Sequence, residues 1–171
     1  GVRRVSLRAR SPREAEYLSK RKFTLVNGMH TVLAFLTLCL QYRGTDREYV
    51  LVKYAFLPRR QQLLVEAWRT ARIAELIDEF GEEQLMEWHG TEAPEALWDT
   101  LLDFSDEVLV DRFSQIDDLV SRVLGGAQSR ARLRRDVSVV GTGAFPVVRR
   151  GDAVVGAERE IHAEVVRVCD F

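Results

Sequence analysis

Cysteine is scarce. The 171 residues hold two, Cys39 and Cys169, too few for a disulfide framework. Cys39 lies in an apolar run and reads as a buried, reduced thiol. Long hydrophobic runs are missing too. The longest, Phe23 to Leu40, is interrupted by Asn27, Gly28 and His30 and is too polar for a clean membrane span. There is no secretory signal pattern. A soluble protein of a reducing, intracellular compartment is expected. Net charge is almost absent, at −1, so nothing marks the whole molecule as a nucleic-acid binder. No internal repeat and no low-complexity linker divides the chain.

What is present is an ordinary globular composition, 46% apolar and 30% charged. That is enough chain to bury a real core in one domain. It is not enough for a dinucleotide-binding domain plus a substrate domain. Charge is segregated along the sequence. Residues 1–23 carry eight Lys/Arg against two Glu, and residues 73–111 carry thirteen Asp/Glu with no Lys or Arg. Residues 112–150 return to eight Arg against three Asp. Arginine outnumbers lysine 22 to 3, which fits a GC-rich genome as well as selection for bidentate contacts. The acidic run reads as solvated helix faces, with docking of a basic partner or of the chain's own basic arm as the alternative. Arg130, Arg132, Arg134 and Arg135 read as a solvated helix end, or as a hold for a phosphate or acidic group.

The pattern predicts a mainly α protein, a bundle of roughly five or six helices with an irregular, β-prone C-terminal tail. Residues 1–11 form a basic arm, 12–135 the helical domain and 136–171 the tail. Ser11-Pro12-Arg13-Glu14 is a helix start, with Ser at the N-cap, Pro at N1 and Glu at N3. A long helix from Pro12 to about Tyr42, ended by Gly44, is expected. Asn27-Gly28 between β-prone runs also allows a hairpin. Tyr49 to Leu57 is a short buried helix or strand stopped at Pro58. A helix is expected over Arg59–Phe80, closed by Gly81, and a short acidic helix or turn over Glu82–His89. Another runs from a Thr91 cap to about Phe104. A further one starts at Ser105, buries Val108, Leu109, Phe113, Ile116, Leu119, Val120 and Val123, and ends at Gly125-Gly126. Ala127–Arg135 is a short basic helix.

Lys22, Asn27 and His30 are the residues whose chemistry stands out. At roughly 100° per residue they lie at about 0°, 140° and 80° on an α-helical wheel, within one face. A lysine held against apolar surface has its ammonium form disfavoured and can serve as a base. Asn and His N–H groups can hold a developing oxyanion. These are parts for taking a proton from an alcohol while its carbon loses hydride. Each residue also has a plainer reading. Lys22 can belong to a solvated basic cluster with Lys20 and Arg21, Asn27-Gly28 can be a turn, and His30 can be a core histidine. His89 and His162 have no metal-like partners at ligand spacing and read as structural or surface groups. Trp68, Trp88 and Trp98 sit at core spacing.

The stretch Arg21-Lys22-Phe-Thr-Leu-Val-Asn27-Gly28-Met-His30-Thr31-Val-Leu-Ala34 resembles the opening helix of the C-terminal domain of the long-chain polyol dehydrogenases. That family includes mannitol 2-dehydrogenase, mannitol-1-phosphate 5-dehydrogenase, and the tagaturonate and fructuronate reductases. Its signature is Lys, four residues, Asn, two residues, His. The Asn-Gly-x-His-Thr form is most similar to the hexuronate reductase branch. The resemblance implies a helical domain, which tips the hairpin-or-helix choice to helix. It implies Lys22 as general base, and Asn27 and His30 as binders of the substrate oxygen. Downstream, Asp111-Arg112-Phe113-Ser114-Gln115-Ile116-Asp117-Asp118-Leu-Val-Ser-Arg122 is similar to the family's Arg-Phe-x-Asn-Pro-x-Ile-x-Asp segment, shortened and without its Asn-Pro. It implies Arg112 as a substrate-binding residue.

The resemblance implies an NAD(P)-dependent polyol or hexuronate dehydrogenase acting on a sugar alcohol or hexuronate, with no metal. The NAD- or NADP-binding domain would lie in a longer polypeptide or on a partner chain. Val139-Val-Gly141-Thr-Gly143 has only a superficial likeness to a nucleotide-binding turn, with Pro146 where a third glycine would fall. The alternative is a retired dehydrogenase-like domain working as a structural or interaction subunit.

Overall fold

The computed structural model describes residues 9–41 and 50–124. Those residues are mainly helical, as the hydrophobic spacing predicts. The elements are α1 (Pro12–Arg21), a π-turn (Lys22–Gly28), α2 (Met29–Gln41), α3 (Arg59–Phe80), α4 (Glu82–His89), α5 (Pro94–Asp106), a second π-turn (Glu107–Arg112) and α6 (Val120–Leu124). The first three run on as one rod, as do α5 and the second π-turn. Among the described residues the chain therefore folds as five helices. Most of the arm, residues 42–49, Gly125-Gly126, the basic segment 127–135 and the tail lie outside the described residues, as does the side chain of Cys39.

The rod starts where its sequence says it should. Ser11 is extended, its Oγ accepts the Glu14 N–H at 3.1 Å, and Pro12 occupies the first helical position. Such a cap stabilises by about 1 kcal/mol. The rod does not break at Asn27-Gly28. Leu25 before that pair and Met29, Val32, Leu33, Phe35 and Leu36 after it are all buried, and one helical face can bury them together. Gly28 is there for close approach, because a Cβ on it would stand 2.8 Å from Cη2 of Trp68 on α3. The hairpin alternative is thereby excluded.

Helix α3 is the spine. Its first half, with Leu64, Val65 and Trp68, packs in one cluster with α2, the second π-turn and α6. Its second half, with Ile73, Leu76 and Phe80, packs in another with Tyr17, Leu25, Leu85, Leu97 and Leu101. At Gly81 the chain takes φ +86°, which favours glycine, and turns into α4. Most of the acidic side chains between 78 and 111 are exposed, as expected of solvated helix faces.

Three expectations need correction. Thr91 is no cap: α5 begins at Pro94 behind an extended Ala93, and the buried Thr91 Oγ1 has no hydrogen-bond partner. Ser105 starts no helix. It is fully buried inside α5, where its Oγ donates to the Leu102 carbonyl at 2.8 Å, so the helix runs through it. The supposed long helix to Gly125 is broken after Gln115, and Ile116 is 46% exposed rather than core. The interruption lets Leu119 form an antiparallel bridge with Val50. Val50 to Leu57 is accordingly neither a full helix nor a strand. It is a bridge residue followed by a single 3-10 turn, Tyr54–Phe56, with Leu57 buried before Pro58. Thr37 Oγ1 accepts the Val52 N–H at 2.8 Å, and the Asp118 carbonyl accepts the Leu51 N–H at 2.8 Å. These bonds pin 50–52 between α2 and the loop before α6.

Candidate functional site

Lys22 opens the first π-turn and Asn27, five residues on, is its last residue but one. In an α-helix a five-residue separation points two side chains well apart. A π-turn bonds residue i to i+5, so residues five apart stand one above the other. The local winding thus brings positions 22 and 27 closer to one face than an ideal α-helix would. The Asn27 carbonyl accepts the buried Thr31 hydroxyl at 3.0 Å, which supports the widened turn. Both side chains are exposed. The expectation that apolar surroundings desolvate Lys22 is not met by the described residues.

His30 is the best-embedded of the four candidate residues, with its side chain 17% exposed. Its ring stacks on Phe113, with centroids 4.3 Å apart and planes 18° from parallel. Its Nε2 stands 3.3 Å from Oδ2 of Asp118, whose side chain is 4% exposed. Arg122, one helical turn on, grips both Asp118 carboxylate oxygens. Oδ1 also accepts the Leu119 N–H at 2.9 Å. A bare carboxylate beside an imidazole would favour the imidazolium. Here its charge is already held by Arg122. Burial, and then the Arg122 guanidinium, lower the His30 pKa to about 4, so the ring is neutral near pH 7.

Arg112 ends the second π-turn and is exposed, immediately before Phe113. The two segments singled out in sequence, around 20–36 and 111–123, therefore meet at His30. Among the described residues, no hydrogen bond, ion pair or ring contact joins the side chains of Lys22, Asn27, His30 and Arg112 to one another. The pair Asp118 and Arg122 had no assigned role at the sequence level. Their signal was an acid and an arginine four residues apart, which meet on a helix face.

A cavity of about 230 Å³ lies beside the first π-turn, lined by Lys20, Phe23, Thr24, Gly28, Trp68 and Arg72 among others. None of the four candidate residues lines it. Among the described residues there is no group of three or more His, Cys, Asp or Glu placed to hold a metal ion. Nor is there any strand from which a glycine-rich turn could cradle a dinucleotide pyrophosphate, so the described residues do not fit that cofactor. The segment around Gly141 and Gly143 lies outside them. No described helix is long and apolar enough to cross a membrane. No family model, curated protein or solved structure matches the chain.

Proposed function

We propose that this chain is the substrate-binding half of a polyol or hexuronate dehydrogenase, with its NAD(P)-binding domain supplied elsewhere. The observation that carries the reading is the meeting of the two resembling segments. His30 of the first lies against Phe113 and Asp118 of the second, and Arg112 adjoins that contact. The π-turn adds support by bringing positions 22 and 27 closer to one face of the rod. In this reading Lys22 takes the proton of the substrate hydroxyl, and Asn27 and His30 fix that oxygen. Arg112 offers a bidentate hold for a hydroxyl pair or a carboxylate. Lys22 needs cover to shed its proton easily, and that cover comes from substrate and the missing domain.

The test uses the native polypeptide purified from its source. Lys22→Ala is expected to lower turnover of sugar alcohols or hexuronates by about 10² or more while leaving the circular dichroism spectrum intact. Turnover equal to wild type would sink the reading.

A second reading, a retired domain acting as an interaction subunit, is favoured by the exposure of Lys22 and by the lack of a nucleotide cradle among the described residues. It predicts a native mass equal to this chain and salt-sensitive capture of a basic partner. A native mass larger by a whole domain would count against it.

A further inference from the structure

We infer that Asp118, clamped by Arg122, is a positioning residue that fixes the tautomer of His30 and so makes Nδ1 a hydrogen-bond acceptor. A neutral imidazole has one N–H and one lone pair. A carboxylate can only accept, so a lone pair on Nε2 facing Asp118 Oδ2 at 3.3 Å would be repelled. The proton therefore sits on Nε2 and the lone pair on Nδ1. The carboxylate is itself immobile. Its two oxygens are held by Arg122, Oδ1 also accepts the Leu119 N–H, and the backbone of Asp118 is bonded to Leu51. Stacking on Phe113 then limits swinging of the ring out of its plane. Among the described residues, the charged groups facing His30 are Asp118 and Arg122.

The consequence rests on the dehydrogenase reading and sharpens it. A His30 fixed this way does not donate to a substrate oxygen from Nδ1. It accepts from a substrate hydroxyl next to the one that Lys22 deprotonates, so its hold on the reacting oxygen is indirect and oxyanion stabilisation is left to Asn27. Asp118 itself touches no substrate and acts only through His30.

The experiment reads the tautomer directly, by ¹⁵N NMR of the imidazole in the full chain near neutral pH, with the signal assigned by its loss in His30→Gln. The expected result is an Nε2–H ring in wild type. Asp118→Asn offers an amide that can donate as well as accept, so the signal should move toward a mixture with Nδ1–H. Arg122→Ala removes a largely exposed side chain, keeps the carboxylate, and should raise the His30 pKa by about 1 or more. A wild-type Nδ1–H ring, or a tautomer unchanged in Asp118→Asn, would overturn the inference. If Asp118→Asn does not fold, an unchanged His30 pKa in Arg122→Ala overturns it. None of these readouts needs turnover. A failed Lys22→Ala prediction would remove the substrate while leaving the tautomer result standing.

Discussion

The two histidines of the described bundle have the same titration behaviour and different partners. His89 closes α4 and its Nε2 lies 2.6 Å from the Tyr17 hydroxyl, in the cluster around α1, α4 and α5. His30 sits in the other cluster, against Asp118 and Phe113. Burial dominates at both and lowers each pKa to about 4, helped by Arg21 at His89 and by Arg122 at His30; Glu14 opposes the shift at His89. The difference is in what the partner allows. A phenol both donates and accepts, so Tyr17 is satisfied by either tautomer of His89. A carboxylate only accepts, so Asp118 dictates one. Tyr17 is enclosed by Phe80, Trp88 and His89, an arrangement that locks packing. His30 touches Phe113, next in sequence to the exposed Arg112. One histidine staples two helices; the other is held between a ring and a clamped carboxylate.

Acid should strike both regions, and it is the largest effect expected. Each folded pKa lies below the unfolded value of about 6.5, so the unfolded chain binds more protons between pH 6.5 and 4. The stability these neutral rings contribute is fully present above pH 6.5 and falls as pH drops toward 4. The loss is on the order of 2 kcal/mol for each histidine. Urea unfolding at pH 7 and pH 4.5 measures it, and His89→Gln should remove about half the difference. A pH-independent midpoint in wild type would show that the rings are not buried as described.

Gly28→Ala probes the His30 side. The new Cβ meets the fully buried Trp68 ring at 2.8 Å, and a rigid indole has little room to yield. Overpacking of about 1–3 kcal/mol outweighs a helix-propensity gain of about 1 kcal/mol. Net destabilisation of about 1 kcal/mol is expected by thermal melting, with the His30 NMR signal displaced and that of His89 unmoved.

Tyr17→Phe probes the other side and should be comparable or smaller. It removes the hydroxyl from His89 and leaves Nε2 without its partner, a loss of about 1 kcal/mol. The His89 signal should shift while His30 stays as it was. If both signals move together in either variant, the two clusters behave as one and the contrast fails.

Much of the framework was readable from local chemistry. Ser11-Pro12 set the start of the first rod, and the apolar spacing from Leu63 to Ile77 with Gly81 behind it set α3, although Leu63 itself is exposed. Asn27-Gly28 carries a turn signal that burial against Trp68 overrides, and the helix chosen there is what forms. The failures share a cause. Ser105 carries a cap signal that apolar neighbours on both sides override. Ile116 fits an inward stripe only if the helix continues, and the chain instead leaves the helix to pair Leu119 with Val50. Lys22, Asn27 and His30 drew attention by residue type and spacing alone. Asp118 did not, because an acid four residues before an arginine is common on solvated helices.

By itself, then, the sequence determined the helical character and the main boundaries. Those depend on interactions within a few residues, where backbone geometry fixes who meets whom. Only the tertiary structure decided that the chain winds through a π-turn at 22–28, that Gly28 is pressed on Trp68, and that His30 lies beside Asp118. Those outcomes depend on groups dozens of residues apart competing for the same buried volume, and no local propensity encodes which of them wins.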